Sequence, residues 1–587
     1  METNVLSGFR ETWLINFELD VPVELGGVSP IPLAFEAWEW GSRRVIRISG
    51  DDLNNFSQVP FPVGDDALVV VYDASKQVAG FLAKGWPIPS NIVDLFIEFR
   101  CLTNGLRVPC GNELSGSLVY FGLDAFNVGN PMLRKQSKNN DSQTGYTIRE
   151  NFASDKVVDG TNICALKQLF RAMESHLDLP RALLRGRYGA AAAVMERNGI
   201  PIDVMLFEQL SQNWQKIQMG LVAEMGSKYG VFDGLTFKVD RFSRYLKDQE
   251  INWPLLSMGQ LDLSDDTFKF MSHKYPQLAS LRDLRKSLSQ IRLSTLAVGH
   301  DGRNRCSLSM FASRTGRNQP SSNQFIFGMS VWLRSLIRPG HGQGLAYVDF
   351  LQQEFGIAAA LSGDTQMMRA YESGDPYIAF AKQAEVVPSW GSKVTHPTER
   401  DQFKATVLAL QYGMGAESLA CRIGKSKVQA QVLMDLHRKT YQKFWGWSDA
   451  VLNEALLGER LWTVFGWKIH THDNTNERSL RNFPVQANGA EILRLTCIQL
   501  LADGVKLCAP IHDAVLIEAP LSELDATVKH TQNVMRTASA AVLNGFCLDS
   551  DAKLVRYPDR YVDDRGTRMW NAVMRQINVN NFVVSVH

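Results

Sequence analysis

Residues 344–364 run GLAYVDFLQQEFGIAAALSGD: an apolar, β-rich run that ends on an acid and passes into an alanine-rich segment. GLAYVDF predicts a buried strand entered from a glycine-rich turn. Asp349 then stands at the strand's end, where a carboxylate can hold a metal at the edge of a cleft. Far along the chain, LCAPIHDAVLIEAP (507–520) predicts a hairpin of two apolar runs, with Asp513 at its turn. Singly, either aspartate is more often a turn or cap residue. Together they could clamp a pair of Mg²⁺ ions, the arrangement that stabilises the attacking and leaving oxygens of an in-line phosphoryl displacement.

Two helical stripes lie between them. In ERDQFKATVLALQYGMG (399–415), Arg400, Lys404, Leu408 and Tyr412 recur every fourth residue, roughly along one helical face. Arg and Lys one turn apart can grip a triphosphate, and Tyr412, before Gly413, can offer a ring to a base. In ERSLRNFPVQANGAEIL (477–493), Arg478, Asn482 and Gln486 repeat at the same spacing, a set suited to base edges and sugars. Either stripe alone reads equally well as a solvated helix face.

The 587 residues predict about three to five domains. With 45% hydrophobic and 21% charged residues, the composition is that of a folded globular protein. No apolar run approaches the roughly 18–20 residues that span a bilayer, and METNVLSGFRETW has no secretory pattern, so no membrane partner and a cytoplasmic location are expected. Eight cysteines without CxxC spacing predict reduced thiols. A net charge of +1 decides nothing, but residues 281–339 hold ten Lys and Arg against two Asp. That imbalance, rich in Arg, reads as a phosphate-binding face rather than a merely solvated one.

These motifs, in this order and spacing, resemble those of the family A (Pol I-like) DNA polymerases, in particular the short phage-type members, over nearly the whole chain. VDFLQQEFGIAAALSGD is similar to their motif A, Arg400 to Gly413 to motif B, and IHDAV to motif C. TGRNQPSSNQ (315–324) is similar to the segment before motif A, and VMERNGIPID (194–203) to the helix that opens the thumb. The resemblance implies that Asp349 and Asp513 hold two Mg²⁺ ions, with Mn²⁺ as a substitute, and that His512 supports the primer end. Glu354 would be the steric gate against a ribose 2′-OH. Arg400 and Lys404 would bind the triphosphate, with Lys404 donating a proton to pyrophosphate, and Tyr412 would stack near the templating base. Arg317, Arg478, Asn482 and Gln486 would contact the primer–template. All three motifs carry departures: Leu351 and Gly356 replace a Ser and an Arg, Ala514 replaces a Glu, and Leu408 replaces a bulky aromatic beside the incoming sugar.

Residues 1–185 resemble the family's 3′→5′ exonuclease domain, with WLINFEL and VVVYDAS as its first two motifs and Asp94 following in NIVDLFIEFR, which reads as a helix. Asn16 stands where the first Asp is expected, Glu18 is kept and Asp73 falls at a metal position. The third motif aligns with VDGTN, giving Val158 and Asn162, with Asp155 or Asp159 as possible substitutes. Exchanging two carboxylates for amides removes about two charges from a site for two dications, so weak or lost proofreading is expected. No 5′-nuclease domain is expected.

The implied fold is α+β: a right-hand polymerase preceded by an RNase H-like α/β exonuclease-type domain. The expected divisions are 1–185 exonuclease-like, 186–300 thumb, 301–365 first part of the palm, 366–464 fingers and 465–587 second part of the palm with the C-terminal segment. The expected activity is DNA-directed DNA synthesis from dNTPs on primer–template DNA, in phage genome replication. A monomer in host cytoplasm is expected, with other replisome proteins as further candidate partners. The rivals are a polymerase whose exonuclease uses a modified metal site, a single-subunit RNA polymerase (opposed by Glu354), a nuclease with a vestigial polymerase, and a DNA-binding scaffold.

Overall fold

The computed structural model describes residues 8–20, 30–123, 163–290, 293–472 and 475–584. Asp155, Val158, Asp159, Asn162 and Arg292 lie outside them.

The N-terminal part is built on a mixed sheet of β1 (Glu11–Asp20), β2 (Ile31–Glu39), β3 (Val45–Ser49), β4 (Ala67–Val71) and β5 (Ile92–Asp94) in the order β3-β2-β1-β4-β5. β1, β2 and β3 pair antiparallel, while β1, β4 and β5 run parallel. All five residues of β4, ALVVV, are buried, the continuous apolar run typical of a parallel strand covered on both faces. Helix Ala74–Lys84 follows β4, and Leu95–Thr103 follows β5. NIVDLFIEFR is thus not one helix. It divides at Asp94, whose carboxylate accepts from the Phe96 and Ile97 amides and starts the helix after a three-residue strand.

Helix Leu179–Asn198 joins this sheet to the rest of the chain. Its sequence GRYGAAAAVM carries almost no bulk on one side. A Cβ at Gly186 would meet the Ile92 carbonyl oxygen at 1.9 Å, and one at Gly189 would meet Ala74 Cβ at 2.6 Å. Gly199 ends the helix at a positive φ of 58°, as Asn198-Gly199 predicts. Beyond it come the helices Val204–Leu221, Val239–Asp248, Asp265–Lys274 and Ala279–Gln290, with a separate apolar core that also takes in Trp332 and part of the C-terminal helix Thr567–Val584.

The second sheet is antiparallel: β6 (Gln343–Phe350), β7 (Lys506–Ile511), β8 (Ala514–Pro520) and β9 (Ser550–Arg556), in the order β7-β8-β6-β9. The expected strand and hairpin are both present, and segments distant in sequence enclose β6. Between β6 and β7 the chain is mostly helical, including Gln353–Ser362, Pro397–Gln411 and the 26-residue helix Glu477–Ala502. No helix of the described residues is long and apolar enough to cross a membrane.

Most charges of the arginine-rich run are paired within the protein. Arg282 pairs with Asp265, Arg303 with Glu518, Arg305 with Asp301, Arg334 with Asp563 and Arg338 with Asp203, while Arg285 caps the Leu263 carbonyl. Most of these charges tie the chain to itself. Their acidic partners lie largely outside 281–339, so a local charge count misses them.

Candidate polymerase active site

Asp349 is the penultimate residue of β6, and Asp513 lies in the two-residue turn between β7 and β8. Pairing of Asp349 with Ala514 across the sheet brings that turn alongside, and the Phe350 amide donates to the Asp513 carbonyl at 3.3 Å. The turn requires His512 to take a positive φ of 57°. Burial first, and then the neighbouring Asp513 charge, pushes the Asp349 carboxyl up to about 7. Burial raises Asp513 too, while Arg317 and His512 pull it back. Asp349 Oδ1 is shielded from solvent and has no hydrogen-bond partner. Two hard-oxygen ligands held together at this electrostatic expense fit a divalent cation, which would relieve both the repulsion and the unpaired oxygen.

Asp551, which the sequence reading did not single out, stands opposite Asp349 on β9 and adds to its negative surroundings. Only strand pairing reveals it, and no local motif surrounds it. Among the described residues no group of three or more His, Cys, Asp and Glu is disposed to hold a metal.

Glu354, in the first turn of Gln353–Ser362, is the hub of a second cluster. Arg317 Nη2 donates to its Oε1 at 3.1 Å, and Tyr412 Oη donates to its Oε2 at 2.5 Å. Burial, then Glu354, raises the Tyr412 phenol, while Gln486 bonds to it. Tyr412 is not on the helix of its stripe. That helix ends at Gln411, and Tyr412 caps it before Gly413, where φ is +68° and a Cβ would approach Arg478 Cγ to 3.0 Å. Arg478 and Asn482 line a cavity of about 270 Å³ with Glu354, Leu410 and Met414. Arg317 and His512 line another of about 360 Å³ with Tyr188, Asn318 and Ile511.

Arg400 and Lys404 both lie over the Tyr377 ring, at 5.5 and 5.9 Å. Arg400 Nε donates to Asp375 at 2.6 Å, a partner the stripe does not predict. Leu408, one turn further on, is half-buried. The departure at Gly356 has a steric cause: a Cβ there would lie 2.4 Å from Leu548 and 2.9 Å from Tyr371. Tyr371 in turn ties the Leu351 carbonyl to the Asp549 amide, at 3.0 and 2.9 Å.

The candidate residues of the N-terminal sheet are held differently. Asn16 on β1 faces Glu36 on β2, and its Oδ1 accepts from Gln77, which also takes the Phe17 amide. Asp73 caps the same helix one turn earlier, bonded to the Lys76 amide and paired with its ammonium. Glu18 is raised by burial and then by Glu36, and its Oε1 is buried without a partner. Asp94 is not a metal-facing residue. It is almost completely buried and accepts from the amides of Asp73, Ala74, Phe96 and Ile97.

Both sheets and the helices between them form a mixed α+β architecture, that of the right-hand polymerase fold with a further α/β domain in front. Residues 264–549, just under half of the chain, match the model of DNA polymerase family A. It is 25% identical over 374 residues to a thermostable DNA polymerase I of Thermus aquaticus, covering 59% of this chain and 44% of that one. It is 24% identical over 379 residues to the DNA polymerase of Mycobacterium phage D29, covering 60% and 59%. The chain spans about half the length of the thermostable relatives it matches, 44% of one and 56% of another. Its fold is similar to that of the POL domain of Pol1 from M. smegmatis, solved in complex with DNA primer-template and dNTP, with a TM-score of 0.69, 18% identity and 97% of each chain covered.

Proposed function

We propose that the chain extends the 3′ end of a primer with dNTPs on a DNA template, and that a phage-type genome is its substrate, in keeping with its likeness to the D29 enzyme. The observation that carries the reading is the meeting of Asp349 and Asp513 at one sheet end, with a buried carboxylate oxygen left unpaired. Two Mg²⁺ ions held there would neutralise charge on the attacking and leaving oxygens. The protein's own part is positioning. Arg400 exchanges Asp375 for the triphosphate, and Lys404 on the same face donates a proton to departing pyrophosphate. Glu354, braced by Arg317 and Tyr412, crowds the 2′ position of the sugar. Arg478, Asn482 and Gln486 follow the nascent pair, and His512 meets the primer end.

In this reading residues 186–300 act as thumb, 301–365 and 465–587 as palm, and 366–464 as fingers that close over a correct pair. The N-terminal domain has little exonuclease activity, because Asn16 and Gln77 form an amide pair where a carboxylate would be needed. Primer extension by the parent and by Asp513→Ala tests the polymerase. Extension in the parent and its loss in the variant support the reading, whereas equal extension sinks it. Ribonucleotide insertion as fast as that of dNTPs favours the RNA-polymerase alternative. Rapid Mg²⁺-dependent removal of a mismatched 3′ nucleotide by the parent refutes the loss of proofreading.

A further inference from the structure

The loop that carries Arg317 is irregular, so its carbonyls need donors from elsewhere. Those donors come from four side chains in two directions. Arg100, in helix Leu95–Thr103 of the exonuclease-like domain, donates from Nε to Phe311 O at 3.1 Å and from Nη2 to Ala312 O at 2.8 Å. Asn104, just past the same helix, donates from Nδ2 to Arg314 O and to Lys468 O, both at 2.7 Å. From the polymerase side, Trp467 Nε1 reaches Arg314 O at 3.0 Å and Arg494 Nη1 reaches Gly316 O at 2.7 Å.

This seat has little slack. The His470 amide donates to Asn104 O at 2.8 Å, and His470 Nε2 bonds Leu102 O at 3.0 Å. Gly105 takes a φ of +89°, and a Cβ there would fall 2.3 Å from His470 O. The loop also closes on itself. Ser313 Oγ accepts from the Arg317 amide at 2.8 Å, Ser313 N donates to Arg317 O at 3.2 Å, and Gly316 N donates to Ser313 O at 3.0 Å. Fixing residues 311–314 therefore fixes where the Arg317 side chain begins. Arg100 is half-buried and spends its charge on neutral carbonyls, with its guanidinium over the Phe96 ring at 5.7 Å.

We infer that Arg100 and Asn104 are positioning residues for Arg317, so that the exonuclease-like domain sets primer–template geometry in the polymerase half. The inference rests on the reading of Arg317 as a primer–template contact. It gives the N-terminal domain a part in synthesis that does not depend on its missing carboxylates.

The test uses the full chain and fluorescently labelled primer–template DNA, with dissociation constants measured for the parent, Asn104→Ala, Arg100→Lys, Arg317→Ala and Asn104→Ala/Arg317→Ala. Asn104→Ala removes hydrogen bonds to two carbonyls, and about a tenfold weaker binding is expected. Arg100→Lys keeps the charge but only one donor nitrogen and should weaken binding less, which provides a second variant should Asn104→Ala fold poorly. The deciding outcome is the double variant. Positioning through Arg317 requires that Asn104→Ala add almost nothing once Arg317 is gone. Parent-like binding by both Asn104→Ala and Arg100→Lys overturns the inference, as does a loss that multiplies fully with that of Arg317→Ala. Unchanged binding by Arg317→Ala alone overturns the primer–template reading of Arg317, and the inference with it.

Discussion

Replacing Tyr412 with Phe removes the brace on Glu354, together with the bond between the hydroxyl and Gln486. The substitution keeps the ring and removes only the hydroxyl that donates to Glu354 Oε2 at 2.5 Å. Glu354 retains Arg317 at 3.1 Å on its other oxygen, so its carboxylate stays charged and partnered but gains freedom to swing. A hydrogen bond to a charged group contributes roughly 1.5–3 kcal/mol, and the partly exposed Tyr412 places this one at the low end. About 1.5 kcal/mol corresponds to about a tenfold change. Single-nucleotide insertion opposite template dG, comparing kcat/KM for dCTP and rCTP, should show the dCTP preference falling about tenfold in Tyr412→Phe. Glu354→Ala should lose more, and the double variant should be no worse than Glu354→Ala alone. An unchanged preference in Tyr412→Phe, or losses that multiply in the double variant, would refute the idea that Tyr412 acts on selection through Glu354.

Glu98→Gln should lower stability by about 3–5 kcal/mol in urea unfolding, because it strips a bidentate partner from buried Arg185, now 2.6 and 2.7 Å away. The paired change Glu98→Leu/Arg185→Met should recover most of that loss. Leu408→Tyr should change dideoxynucleotide incorporation measurably in a chain-termination assay, and no change would remove Leu408 from the sugar site. Burial holds the Glu196 carboxyl at about 7, above the 4.5 of an unfolded Glu. The unfolded chain therefore ionises first, and stability should fall as pH rises from about 4.5 to about 7 and then level off. Urea midpoints across that range should show this slope, and Glu196→Gln should flatten it.

The strand that ends on Asp349 and the hairpin that carries Asp513 were legible in the sequence because burial writes local apolar runs, and turns interrupt them. The Arg478, Asn482 and Gln486 stripe was legible for the same reason, since helical periodicity is local. Partner choice was not. Arg400 meets Asp375 across a helix junction, and Asp551 meets Asp349 only because β9 pairs with β6. The arginines of 281–339 find acids as distant as Asp563 and Glu518, so a window of sequence shows their excess without its destination. Asp94 shows a further limit. A capping aspartate and a metal-binding one look alike in sequence, and only the four amides converging on Asp94 separate them.

Helix Leu179–Asn198 has a bearing on recombination between relatives. Its glycines lie against Ile92 and Ala74 on one side, and its final residue, Asn198, donates to the Leu507 carbonyl at 2.9 Å on the other. A chimera that exchanges N-terminal domains must break one of these two surfaces wherever within the helix it crosses over. The viable unit of exchange keeps the helix with both of its neighbours, so the first sheet is inherited along with the second one.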